Sequence, residues 1–437
     1  MPETRSTADS YALIGAGAAG LAGARNLDKH GIPFVGFEAH SDVGGLWDID
    51  NPHSTVYDSA HLISSRHTTG YAEFPMSAEL PDYPGHEAVR SYFHDVADRF
   101  DLRRHYRFGT RVVTARPEGE GWLVTSRGPD GAEVTEPFRG VVIANGTLSE
   151  PNIPTFAGEF TGKLIHTSAY KDPGIFEDQR VLVIGAGNSG CDIAVDAVHR
   201  ARSVDLSVRS GYYFIPKYIF GKPADTLNQG KPRPPWFKTR IDALIVRLIA
   251  GDPTRFGFPK PDHRIYESHP VLNTLVLHHA GHGDLRVRKD VERFDGATVH
   301  FTDGTSADYD LVMLATGYRL HYPFIDPSHL NWIGSAPSLH LNIFTPTHRN
   351  LFVLGMLEAA GIGWQGRYLQ AELVARFIKA QRDDPGRADA VWDRVNGRRP
   401  DLSGGYRYRQ LERMPYYVNK DAYTAVMNEH IALVSGR

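Results

Sequence analysis

Short, predominantly apolar runs recur along this chain and lead into glycine: YALI before Gly15, RVLVI before Gly185, and later GVVIANGT and LVMLATGY. Runs of this kind, without polar alternation, predict strands covered on both faces, as in a parallel sheet. YALIGAGAAGLAGARNL therefore reads as strand, glycine turn and helix, and PFVGFE as a second strand ending in Glu38. The same order returns in RVLVIGAGNSGCDIAVDAV and SVDLSVRSG, where the second strand ends in Arg209. Each half also closes on an apolar strand ending in A-x-G, at Ala144 and Ala315, at nearly equal distances from its opening glycine. Two similar units, the second inserted into the first, explain this echo most simply.

The tail completes the first unit. NLFVLGMLEAAGIGWQGRYLQAELVARFIKAQ supplies a strand, a glycine-containing loop and a helix whose Leu369, Leu373, Val374 and Phe377 recur at helical spacing. The stretch from 220 to 282 has scattered prolines and one helical pattern, WFKTRIDALIVRLIAG, and reads as a partly helical insertion. The expected fold is α/β, with two Rossmann-like dinucleotide-binding domains. Residues 8–160 and 320–437 form the first and 165–315 the second.

Composition narrows the class. The chain has 437 residues, 41% of them hydrophobic and 23% charged, with a formal net charge of −3. That balance offers no electrostatic case for nucleic acid or a membrane surface. The C-terminal arginines, Arg382, Arg387, Arg394, Arg398 and Arg399, are interleaved with aspartates and read as a solvated mixed face. A single cysteine, Cys191, excludes an intramolecular disulfide and a redox cysteine pair, and suits a reducing compartment. It follows a glycine loop and reads as small-residue packing beneath a helix. The polar start running straight into a strand leaves no signal-peptide region, and no apolar run approaches the roughly 20 residues that span a bilayer. A cytoplasmic protein is expected.

The two loops define the chemistry. Gly15, Gly17 and Gly20 have the spacing that lets backbone approach a pyrophosphate at a helix N-terminus, and Glu38 is placed to accept from ribose hydroxyls. Around the second loop, Gly185, Gly187, Asn188, Ser189 and Gly190, the strand ends in Arg209. A guanidinium there binds a 2′-phosphate that a carboxylate would repel, although a solvated surface arginine is the plainer alternative. A dehydrogenase that passes hydride directly to its substrate needs one such loop. A flavoprotein reduced by NADPH needs two, with FAD on the first and NADPH on the second.

Between the loops lies FTGKLIHTSAYK. Its Phe160, Gly162, His166 and Tyr170 match the F-x-G-x-x-x-H-x-x-x-Y/F fingerprint of the flavin-containing monooxygenases, which the chain resembles over nearly its whole length. GGLWD at 44–48 and ATGY at 315–318 fit as well. The resemblance implies that Gly45, Leu46, Trp47, Thr316 and Gly317 lie at the cofactors. It implies that His166 and Tyr170 belong to a linker that sets the nicotinamide domain against the flavin. It also implies a C4a-(hydro)peroxyflavin, formed with NADPH and O2, that oxygenates a soft nitrogen or sulfur of a small organic substrate.

The related Baeyer–Villiger enzymes usually end the fingerprint in tryptophan-proline, where this chain has Tyr170-Lys171. One departure points back toward them. The asparagine that many relatives carry after Y-x-S, here Tyr57, Asp58 and Ser59, falls on Ile63 or a nearby serine. His61, Ser64 or Ser65 would have to supply the missing polar contact, and ketone oxygenation stands as the alternative. An NADPH-dependent electron-transfer reductase is a second alternative, since it shares the architecture and needs no cysteine pair. A homodimer stays open. His278, His279 and His282 lie close together and His278 and His282 could share a helical face, but Gly281 and Gly283 on either side of His282 argue for a loop and no carboxylate pattern completes a site, so no metal site is expected.

Overall fold

The computed structural model describes residues 7–228, 234–409, 411 and 414–436. Its frame is a pair of five-stranded sheets. The strands that build them are, in chain order, β1 (Tyr11–Ile14), β2 (Phe34–Phe37), β3 (Tyr106–Arg107), β4 (Gly140–Ile143), β5 (Lys163–His166), β6 (Arg180–Ile184), β7 (Ser203–Ser207), β8 (Leu285–Arg288), β9 (Leu311–Leu314) and β10 (Leu351–Val353). The first sheet runs β10-β4-β1-β2-β3 and the second β5-β9-β6-β7-β8, with every neighbouring pair parallel. The two orders are the same.

The internal repeat goes further than the glycine loops. Ahead of its closing strand each half carries a three-stranded antiparallel sheet, over 111–138 in the first half and 291–308 in the second. Each parallel sheet also takes its outer strand from across the insertion point: β10 returns to the first sheet after the second is complete, and β5 enters the second sheet before its glycine loop. The chain therefore passes twice between the units, and the fingerprint begins as an edge strand rather than a free linker.

Residues fully buried on both faces explain the apolar runs. Leu13, Val141, Val142, Val181, Val183 and Val312 have no exposed surface. Helix α1 (Ala18–Lys29) follows the first loop and α2 (Asn188–Val198) the second. Helix α3 (Pro235–Ala250) leaves Trp236, Leu244 and Leu248 exposed. Helix α4 (Leu275–His282) is the crossover into β8. The histidine trio thus lies on a helix and not in a loop: Gly281 is tolerated in its last turn, and Gly283, left-handed at φ 86°, ends it. Helix α5 (Gln365–Asp383) buries Leu373, Val374 and Phe377 against the first sheet, with Leu369 half-buried.

Among the described residues no helix is long and apolar enough to cross a membrane. Cys191 is buried in the first turn of α2, where its Sγ faces Ala186 O at 3.6 Å and burial pushes the thiol well up.

Candidate functional site

The two glycine loops superimpose in their physics. Gly15 and Gly185 both have φ 108°, a conformation that L side chains rarely adopt. A Cβ on either would stand 2.5 Å from the carbonyl oxygen of Ala144 or Ala315. The alanine of each A-x-G is thus the backbone against which the loop turns, which explains why the two features repeat together. Gly20 and Gly190 close the turns: a Cβ there would lie 1.9 Å from Gly15 O and 2.0 Å from Gly185 O. Gly17 and Gly187 are the N-caps of α1 and α2, and neither helix start has a side-chain cap. First-turn amides without a side-chain partner, at the positive end of a helix dipole, suit a pyrophosphate.

Around the first loop, Glu38 is buried at the end of β2. Its Oε2 accepts from Ala16 N at 2.7 Å and its Oε1 from His40 N at 2.8 Å. Burial pushes its carboxyl up, with these amides opposing. The GGLWD turn packs directly on the loop. Gly45 is left-handed at φ 58°, and a Cβ on it would come within 2.8 Å of Gly17 Cα. Leu46 O accepts from Ser54 Oγ at 2.5 Å, and Trp47 meets Trp364 edge-on at 6.3 Å. Asp48, fully buried, accepts from His40 Nε2 at 3.1 Å and pairs with Arg90. A dinucleotide's ADP half fits this cradle: glycine on both walls, a carboxylate at its end and open helix amides beneath.

The second loop differs at that end. Gly185 N donates to Ser207 O at 3.0 Å, so the loop starts beside the end of β7. Two residues beyond it, Arg209 is exposed and forms no ion pair among the described residues. Asn188 turns its side chain to the protein, where its Oδ1 accepts from Leu272 N at 2.7 Å. Ser189 is exposed in the first turn of α2. Thr316 Oγ1 donates to Asn152 O at 2.5 Å, and Gly317 O accepts from Asn152 N at 2.9 Å and from His166 Nε2 at 3.0 Å.

Each fingerprint residue now has a physical task. The Phe160 ring leans on Phe294 at 5.5 Å, and a Cβ on Gly162 would strike that ring at 2.6 Å. His166 is buried. Its Nδ1 accepts from Ser168 N at 3.1 Å, so the proton sits on Nε2, which donates to Gly317 O. Burial lowers its pKa, in keeping with a neutral ring. Tyr170, also buried, donates from its hydroxyl to Asp196 Oδ2 at 2.8 Å.

Asp196 belongs to a polar seam that the sequence reading missed. Ser59 Oγ reaches the same carboxylate oxygen at 2.5 Å. One turn earlier on α2, Asp192 accepts from Asn273 Nδ2 at 2.5 Å and from Tyr57 OH at 3.4 Å, and burial raises its pKa. Lys171 Nζ donates to Ser54 O and Val56 O at 2.9 and 3.1 Å. The 54–59 segment, which follows the GGLWD turn, is thereby fastened to α2 and to the end of the fingerprint. The i, i+4 carboxylates of CDIAVD were the available signal, but such a pair usually marks a solvated helix face.

The other expected polar residues are dispersed. His61 is exposed, with Nδ1 donating to Ser59 O at 2.7 Å. Ser64 Oγ pairs with Thr69 Oγ1 at 2.8 Å. Ser65 N and Oγ both donate to Asp225 Oδ2, at 2.7 and 2.9 Å, which ties this stretch to the insertion. Ile63 is half-buried between them.

Two like-built cradles joined by a fastened linker define a two-dinucleotide flavoprotein. The family model described as FMO-like, flavin-binding monooxygenase-like, matches residues 8–434, and the chain belongs to that family. Flavin-containing monooxygenase 3 of Oryctolagus cuniculus is 30% identical over 400 residues, covering 84% of this chain and 73% of that protein. Among solved structures, open cyclohexanone monooxygenase aligns with TM-score 0.74 at 20% identity, over 98% of each chain. S-allyl-L-cysteine S-oxygenase from Allium sativum aligns with TM-score 0.66 at 22% identity, over 98% of this chain and 88% of that one. The chain is a flavin monooxygenase of the α/β, two-Rossmann class.

Proposed function

We propose that this enzyme is an NADPH- and O2-dependent FAD monooxygenase acting on a soft nitrogen or sulfur of a small organic substrate. The observation that carries the reading is the contrast between the two strand ends: a buried carboxylate, Glu38, beside the first cradle and an unpaired guanidinium, Arg209, beside the second. The carboxylate suits ribose hydroxyls and repels a phosphate, whereas the guanidinium attracts one. The chemistry supplied by a bound flavin is hydride acceptance from NADPH, activation of O2 and transfer of one oxygen atom, the other leaving as water.

In this reading the protein positions and shields. Gly15, Gly17 and Gly20 with the α1 amides hold the FAD pyrophosphate, while Gly45, Leu46 and Trp47 wall it. Gly185, Gly187 and Gly190 with the α2 amides hold that of NADPH, with Asn188 bracing the loop against 270–272 and the exposed Ser189 meeting the phosphates. Thr316 and Gly317 fix the closing turn to Asn152 and His166. His166 and Tyr170 act as positioning residues through Gly317 and Asp196. The sulfur oxygenation named for the Allium neighbour supports the substrate class.

Ketone oxygenation is the second reading, favoured by the departure from the family's asparagine, whose position falls on Ile63 or a nearby serine, and by the cyclohexanone enzyme's fold. The test is aerobic turnover with FAD and NADPH on a thioether and on a cyclic ketone, with products identified by mass spectrometry. Sulfoxide supports the first reading and lactone the second. NADPH consumption that ends wholly in hydrogen peroxide or in an added electron acceptor overturns both.

A further inference from the structure

Helix α4 packs beside α2 and ends where β8 begins, and the way it ends brings three ligand-type side chains together. His279 and His282 occupy its last turn. The left-handed Gly283 then folds the chain back, so that Asp284 N donates to His279 O at 3.0 Å and the Asp284 carboxylate returns to the helix end. Asp284 Oδ2 stands 3.0 Å from His279 Nδ1 and 3.8 Å from His282 Nδ1. One donor atom from each residue lies within 4.8 Å of the others. The His279 ring is held from behind by His199, edge-on at 5.3 Å.

An ion about 2.0–2.2 Å from tetrahedral ligands sets them ~3.3–3.6 Å apart, which lies between the two separations found. The helix C-terminus adds its partial negative charge, which favours a cation. An ordinary His-Asp surface pair explains the shorter contact, but not the second imidazole nitrogen turned toward the same oxygen.

We propose that His279, His282 and Asp284 bind a single divalent transition-metal ion of the Zn2+, Ni2+ or Cu2+ kind, with water in the open position. Two imidazoles and one carboxylate select such ions over Mg2+ and Ca2+, which prefer all-oxygen shells. Asp284 leads directly into β8, the edge strand of the second sheet, so the ion staples the crossover helix to that edge. Its effect is on the stability of the nicotinamide-side unit, away from both cradles.

The experiment is calorimetric titration of the chelator-stripped, flavin-loaded protein with zinc chloride, beside thermal melts with and without the metal. One site tighter than about 10 µM is expected, together with a metal-dependent rise in Tm. His282→Ala and Asp284→Asn should each weaken that site at least about tenfold and remove the Tm rise. His278→Ala, on the same helix but outside the trio, should leave both intact. Absence of a stoichiometric site overturns the proposal, as does a site that survives His282→Ala and Asp284→Asn.

Discussion

Tyr170, the last residue of the fingerprint, donates its hydroxyl to Asp196 at 2.8 Å, and Ser59 from the segment beyond the GGLWD turn donates to the same oxygen at 2.5 Å. One carboxylate on α2 thereby fastens together the fingerprint, the 54–59 segment and the helix that follows the second glycine loop. Asp196→Ala leaves two partly buried hydroxyls without a partner, at about 1–3 kcal/mol each. The expected result is retained flavin, a raised KM for NADPH and a larger share of NADPH ending as hydrogen peroxide. Steady-state kinetics with peroxide detection checks this, and Asp196→Asn, which keeps an acceptor, should recover part of the coupling. An equal loss of flavin and of kcat without leakage would mark Asp196 as merely structural.

Arg209 should govern the choice between NADPH and NADH. A charge-assisted contact to the 2′-phosphate is worth about 1.5–3 kcal/mol, so Arg209→Ala should raise the KM for NADPH about 10- to 100-fold while leaving that for NADH nearly unchanged. Flavin reduction rates with the two nucleotides test it.

The closing glycines separate the two cradles. Gly190→Ala forces a Cβ to 2.0 Å from Gly185 O, and Gly20→Ala forces one to 1.9 Å from Gly15 O. The first variant should purify with normal flavin and lose NADPH-driven turnover at least about tenfold. The second should purify depleted of flavin. Absorbance of the purified proteins and NADPH consumption distinguish them.

Acid should loosen the C-terminal helix Lys420–Ser435. His340 and His430 are buried with their Nε2 atoms 3.1 Å apart, and His430 Nδ1 donates to Val426 O, so the shared proton belongs to His340. Burial, with His430 adding to it, lowers the His340 pKa from 6.5 to about 4. A folded pKa below the unfolded one means that the unfolded state binds more protons between them. Stability should therefore be complete above about pH 6.5 and fall as pH drops toward 4, by about 2 kcal/mol at pH 5. Urea melts across this range, repeated on His340→Gln, should show a flatter profile in the variant.

Much of the frame was legible because it depends on local backbone geometry. The apolar runs before Gly15 and Gly185 became buried parallel strands. Helical spacing at Leu373, Val374 and Phe377 became a buried face. Turn, strand end and cap are set within a few residues, and glycine is required where φ is positive or a carbonyl crowds the Cβ. The histidine run misled for a related reason: the glycines on either side of His282 suggested a loop, whereas Gly281 lies inside the last helical turn and Gly283 ends the helix.

By itself, then, the sequence determined two repeated glycine-loop units, the different residues at their strand ends, Glu38 and Arg209, and the fingerprint between them. Only the tertiary structure decided what the fingerprint holds. It turned Asp192 and Asp196 inward to meet Tyr57, Ser59 and Tyr170, left His61 at the surface, spent Ser65 on Asp225 and folded Asp284 onto a helix end. Those outcomes depend on which buried donors and acceptors find partners from distant parts of the chain, and that matching exists only once the sheets have packed.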